Sequence, residues 1–140
     1  MRPRFGRGRV FEIVCGNECF ATTEELATGL PGMPPGNAAT LAEALAENAT
    51  LETFSISGNY VGGLGCKALA NGLVKNVGVK GLQLNGNDIG DLGVAALCGA
   101  LAERETKLTN LDVGNNGFGF ESGKPIAAYI ATDESLTHLN

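Results

Sequence analysis

Chemistry at a nucleophile or a metal would have to come from a short set of side chains: Cys15, Cys19, Cys66, Cys98 and a single histidine, His138. A thiol becomes a nucleophile when a neighbouring base takes its proton, and His138 stands beside the last residues, remote in sequence from every cysteine. Cys15-Gly16-Asn17-Glu18-Cys19 lacks the C-x-x-C pairing of a zinc site and would need ligands from elsewhere. Gly123-Lys124 suggests the end of a phosphate loop, but Phe118 stands at the required first glycine and Pro125 at the Ser/Thr position. Gly117-Phe118-Gly119 is only a fragment of a dinucleotide fingerprint. The expectation is a protein that is not an enzyme and carries no cofactor and no metal. Asn48-Ala49-Thr50 fits a glycosylation acceptor, expected to be unmodified because no secretory leader is apparent.

The elements that carry these residues belong to one domain's length of chain, 140 residues, 44% hydrophobic and 18% charged, which describes a globular protein. Twenty-one glycines mean that many backbone positions are special. Arg2, Arg4, Arg7 and Arg9 fall in the first nine residues without an acid, so six basic residues face fifteen acidic ones in the rest, a tip of +4 on a body of −9. An acidic body disfavours nucleic acid, whose affinity rests on phosphate neutralisation. No stretch approaches the roughly 20 apolar residues that span a bilayer, and the Arg-rich start is not followed by an apolar block. With cysteines too sparse for a disulfide scaffold, the expectation is an intracellular, cytoplasmic protein with no membrane span.

Internal periodicity gives the architecture. Leu51, Phe54, Ile56, Asn59, Val61, Gly62, Gly65, Leu69 and Leu73 fall without a gap on Val79, Leu82, Leu84, Asn87, Ile89, Gly90, Gly93, Leu97 and Leu101, an offset of 28. A third copy, at an offset of 29, has Leu108, Leu111, Val113, Asn116, Phe118, Gly119, Ile126 and Ile130, with Ser122 in place of the second glycine. Leu41, Leu45 and Asn48 match Leu69, Leu73 and Asn76, the helix of an earlier copy. Within each copy Leu82-Gln83-Leu84 alternates with the period of a strand, and Gly93, Leu97 and Leu101 recur with that of a helix face. One strand–turn–helix unit cannot bury both faces, so units must stack into a parallel sheet with an outer layer of helices. Asn59, Asn87 and Asn116 close the strands, where a buried amide can meet both donors and acceptors left without ladder partners.

The pattern L-x-x-L-x-L-x-x-N-x-[IV]-G followed by G-x-x-x-L-x-x-x-[LI] resembles the leucine-rich repeat of the ribonuclease-inhibitor type over about residues 38 to 140. The resemblance implies an α/β leucine-rich-repeat solenoid, a short curved horseshoe with parallel strands inside and helices outside, and a ladder of the three asparagines. It divides the chain into a basic arm and irregular segment (1–20), a degenerate first repeat or cap (21–50) and repeats (51–140). Leu26 and Met33 fall one period before Phe54 and Val61, although Pro31 stands where the asparagine belongs and Pro34 and Pro35 follow.

What the resemblance implies about function is a protein partner, bound on strand residues that point away from the core. Those are Thr53, Gly81, Asn110 and His138; Ser55, Gln83, Asp112 and Asn140; then Ser57, Asn85 and Gly114. They are small and polar, without the Trp, Tyr and Arg that dominate binding hot spots. The reading is a non-catalytic interaction or scaffold module. A structural subunit of a large assembly and a regulator of an enzyme or GTPase are the alternatives, since relatives of this repeat type include ribonuclease inhibitors, GTPase activators and innate immune sensors. A fourth copy starts at Leu136 and Leu139 and is interrupted at Asn140, which makes Ile126, Ile130, Leu136 and Leu139 an expected contact at the C-terminal end.

Overall fold

A computed structural model describes residues 10–12 and 35–140. The Arg-rich first nine residues, the Cys15/Cys19 pair, and Leu26, Pro31, Met33 and Pro34 lie outside the described residues, and so do the readings that rest on them. The elements in chain order are β1 (Val10–Glu12), α1 (Pro35–Glu47), β2 (Thr53–Ser55), α2 (Gly62–Leu73), β3 (Gly81–Gln83), α3 (Gly90–Glu103), β4 (Asn110–Asp112), a 3-10 turn (Phe120–Ser122), α4 (Gly123–Thr132) and β5 (His138–Leu139).

The strands form one parallel sheet in the order β1-β2-β3-β4-β5. Thr53 pairs with Gly81, Gly81 with Asn110 and Asn110 with His138, so the sequence offset of 28 and then 29 is the step from strand to strand. Each strand is three residues or fewer, too short to stand alone. The core supplies what the strands lack. Phe54, Leu82 and Leu111 stack in register, as do Ile56, Leu84 and Val113, and all are buried. Leu69, Leu73, Leu97 and Leu101 close over them from the helices and are buried as well. The two apolar periods read from the sequence thus meet in one layer between sheet and helices, the α/β leucine-rich-repeat arrangement that the pattern implied.

Helix spacing rests on small residues. A Cβ at Gly72 would fall on the carbonyl group of Ala42, whereas one at Gly99 would meet nothing within 4 Å. Both glycines lie in helices and neither needs a positive φ. Gly72→Ala is therefore expected to force α1 and α2 apart and lower stability by about 1–3 kcal/mol. Gly99→Ala is expected to raise it by roughly 0.5–1 kcal/mol through helix propensity. Thermal melts of the two variants followed by circular dichroism check the opposite signs.

In three places the structure departs from the repeat arithmetic. Phe11 is a strand neighbour of Phe54, so β1 enters the sheet from the segment expected to be irregular. Gly62 and Gly90 turn into their helices at φ 71° and 64°. The equivalent Gly119 is extended at φ −96° and leads into the 3-10 turn. Beyond that turn, in α4, Tyr129 is buried, and Ile130, the periodic match of Leu101, is 44% exposed.

Candidate functional site

The strands hold their polar side chains on the face opposite the core. Ser55 is buried; Thr53, Ser57, Gln83, Asn85, Asp112 and Gly114 are half-buried; Asn110, His138 and Asn140 are exposed. Asp112 ties three strands together. Its Oδ2 accepts from Asn85 Nδ2 at 3.3 Å, and its Oδ1 accepts from Asn140 Nδ2 at 3.2 Å and from the Gly114 N–H at 3.0 Å. Thr137 Oγ1 donates to the Thr109 carbonyl at 2.8 Å and lies 2.9 Å from His138 Nδ1. Around these groups lies a recess of about 410 Å³ lined by Gln83, Asn110, Asp112, Thr137, His138, Leu139 and Asn140.

Beneath this face runs the asparagine row. Asn59, Asn87 and Asn116 are all buried. Asn87 Oδ1 accepts the N–H groups of Asn59 (2.9 Å) and Val61 (3.4 Å), and its Nδ2 donates to the carbonyls of Leu84 (2.8 Å), Ile56 (3.0 Å) and Asn85 (3.2 Å). Asn116 repeats the pattern one unit on: its Oδ1 accepts from Asn87 N at 2.8 Å and Ile89 N at 3.4 Å. Each amide therefore serves its own turn and the preceding one, a structural task that leaves these side chains no surface to offer a ligand.

A second row, not recognised in the sequence beyond its first pair, follows the helices. Asn48 Oδ1 caps Leu51 N at 2.8 Å, and Asn76 Oδ1 caps Val79 N at 2.8 Å while its Nδ2 donates back to Leu45 O (2.7 Å) and Asn48 O (2.8 Å). The next members are Arg104 and Asp133, at the same repeat position with different chemistry. Arg104 is 2% exposed. Its Nη2 donates to Val79 O (2.9 Å), Asn76 O (3.0 Å) and Asn76 Oδ1 (3.2 Å), and its Nε to Asn76 O (3.2 Å). Burial pulls its pKa below the ordinary arginine value. Asp133 Oδ1 accepts from Ser135 N at 2.7 Å and Leu136 N at 3.0 Å, the cap without the backward reach. The signal that could have found this row was the period itself, read through Asn48, Asn76, Arg104 and Asp133 irrespective of residue type.

Ser122, which takes the place of Gly65 and Gly93, is buried and donates through Oγ to Asp91 Oδ1, which also accepts from Gly119 N at 2.7 Å. The Ser122 hydroxyl and then the Gly119 N–H hold the Asp91 carboxyl below the usual carboxylate range.

The candidate nucleophiles lie apart from the polar face. Cys66 and Cys98 are free and buried in α2 and α3, and Cys66 Sγ donates to Gly93 O at 3.5 Å. Burial pushes the Cys66 thiol up to about 12 and the Cys98 thiol to about 11, so both stay protonated at neutral pH. Gly123-Lys124 opens α4, and Gly117-Phe118-Gly119 follows Asn116 into the turn. Among the described residues no group of three His, Cys, Asp or Glu side chains could hold a metal ion, and no helix is long and apolar enough to cross a membrane. At the C-terminal end Ile126 and Leu136 are half-buried, and Ile130 and Leu139 are 44% and 43% exposed. Their counterparts one unit earlier, Leu97, Leu101, Leu108 and Leu111, are 0–2% exposed.

Comparison with known proteins agrees with this geometry. Residues 47–70 and 76–98 match the model of the Leucine Rich repeat family. No curated protein matches the chain. Among solved structures, one described as the Leiomodin-1 Actin-Binding Site 2 superposes with a TM-score of 0.71 at 24% identity, over 92% of this chain and 68% of that one. That likeness is one of fold.

Proposed function

We propose that this chain is a non-catalytic protein-interaction module of leucine-rich repeats of the ribonuclease-inhibitor type that docks its partner on the concave sheet, a reading supported by the match of residues 47–70 and 76–98 to the Leucine Rich repeat family model. The observation that carries the reading is the row of polar side chains held in fixed register across β2–β5, around a recess of about 410 Å³. Such a surface comes preorganised, which lowers the entropy cost of binding. Two buried thiols held protonated fit a reducing intracellular setting and give no nucleophile. The leiomodin neighbour, itself named as an actin-binding site, makes actin a sensible first partner to test.

A second reading has its own observation. Ile126, Ile130, Leu136 and Leu139 keep the apolar character of the preceding unit while losing its burial. A further repeat-like unit, from the same polypeptide or another, would cover them, as in a structural subunit of a larger assembly. Boundaries at residues 20 and 50, and the absence of nucleic-acid binding, belong to the same proposal.

Crosslinking mass spectrometry from photoreactive side chains at positions 83, 110 and 130 separates the two. Crosslinks from 83 and 110, with recovery of the partner lost in a Gln83→Arg, Asn110→Arg variant, are the expected result. Crosslinks from 130 alone, with recovery lost only in Ile130→Asp, would transfer the contact to the end. If neither variant changes what is recovered, the interaction reading fails.

A further inference from the structure

Charge on the concave sheet is one-signed. By register Ser55, Gln83 and Asp112 share one row, Asn140 hydrogen bonds to Asp112 beyond it, and no lysine or arginine occupies a concave position of β2–β5. Asp112 is the carboxylate in the recess, and the groups that reach it there are neutral donors, two side-chain amides and one backbone N–H. At the equivalent positions of the two preceding units, Gln83 and Ser55 serve the same strand without a charge. A carboxylate is therefore more than the sheet requires at this position.

We propose that the recess around Asp112 is the seat of a basic side chain, a guanidinium, presented by an arginine of the partner protein. This deepens the concave-face reading and rests on it. Arginine fits for three physical reasons. Its planar fork can take a carboxylate and neighbouring amide oxygens at once, and Asp112 stands beside the amides of Gln83, Asn110 and Asn140. Its stem covers apolar surface while its head stays polar, and Leu139, 43% exposed, forms one wall. Its charge is attracted by a face whose strands β2–β5 carry a carboxylate and no lysine or arginine, and complementarity of that kind governs encounter and register. Docking of the guanidinium would draw Asp112 away from Asn85 Nδ2 and Asn140 Nδ2, the two longest bonds it makes, at 3.3 and 3.2 Å.

That displacement is measurable in the full chain. Titration with N-acetyl-arginine N-methylamide, followed by proton–nitrogen correlation spectra, is expected to shift the side-chain amide signals of Asn85 and Asn140 together in a saturable way. The neutral N-acetyl-citrulline N-methylamide is expected to leave them in place, and Asp112→Asn to weaken the arginine effect by about tenfold or more. Thermal melting of Asp112→Asn at the wild-type temperature establishes that the fold is intact, and Asp112→Ser, the residue type at the equivalent position 55, serves if it is not. Equal shifts with citrulline, persistence in the folded variant, or no shift at Asn85 and Asn140 would each overturn the proposal. If the partner recovered through positions 83 and 110 binds Asp112→Asn as tightly as wild type, the arginine seat is wrong and the concave-face reading survives. Loss of recovery in Gln83→Arg, Asn110→Arg is the separate test of that reading.

Discussion

Asn87→Ala is expected to destabilise the protein by about 3 kcal/mol or more, because it strips the acceptor from two buried N–H groups at once, and each orphaned buried donor costs about 1–3 kcal/mol. The Leu84, Ile56 and Asn85 carbonyls lose a donor in the same change. The loss falls on two units, since the N–H groups belong to Asn59 and Val61 and two of the three carbonyls to Asn87's own turn. Asn85→Ala is the control: the same residue type two positions away, half-buried, with one side-chain bond to Asp112. It is expected to stay within about 0.5 kcal/mol of wild type. Urea titrations of both, read by far-ultraviolet circular dichroism, decide it, and an Asn87→Ala midpoint at the wild-type concentration would remove the ladder from the account of stability.

Leu84→Ala is expected to cost about 2–5 kcal/mol, the range for emptying a buried leucine site that its surroundings only partly refill. Leu84 is fully buried in β3's layer, with Ile56 and Val113 stacked on either side in the neighbouring units. Short strands cannot bend inward to fill the space without breaking bonds such as Leu84 N–H to Asp112 O at 2.7 Å. Leu139→Ala removes the same atoms from a site 43% exposed and is expected to cost clearly less. Similar losses in the two variants, measured by chemical denaturation, would show that the middle of the sheet packs no better than its end.

What the sequence disclosed depended on whether a residue repeated by type. Asn59, Asn87 and Asn116 keep both type and spacing, and their burial beneath the strands follows from the offset of 28 and 29. Asn48 and Asn76 also repeat, but the row they begin continues through Arg104 and Asp133, which share its place and not its chemistry. Tyr129 was illegible for a related reason. Counting by 29 from Leu101 reaches Ile130, whereas in α4, which follows the extended Gly119 and the 3-10 turn, the buried residue is Tyr129. Burial first, and the neighbouring Asp133 next, push the Tyr129 phenol up, so it remains protonated among Asp133, Cys98 and Arg104. β1 escaped notice because Val10 and Thr53 are joined by a connection longer than the unit, and no period links them. The polar columns were legible as positions, since alternation assigns faces. Their convergence on Asp112 was not, because it depends on side-chain reach across strands.

Arg104 also limits how this protein can be edited. Deleting residues 77–104, one full period, joins Asn76 to Glu105 with the apolar spacing intact, and on hydrophobic pattern alone the shortened chain should stack as before. Yet the excised unit takes with it the guanidinium that holds the Asn76 carbonyl, and the residue that inherits its place is Asp133, which accepts hydrogen bonds and has none to give. The units look like interchangeable modules by their leucines and asparagines. By the row that follows their helices, Asn48, Asn76, Arg104 and Asp133, they are a numbered series, each fitted to the one before, and a shuffled or shortened array would mismatch at the seam rather than in the core.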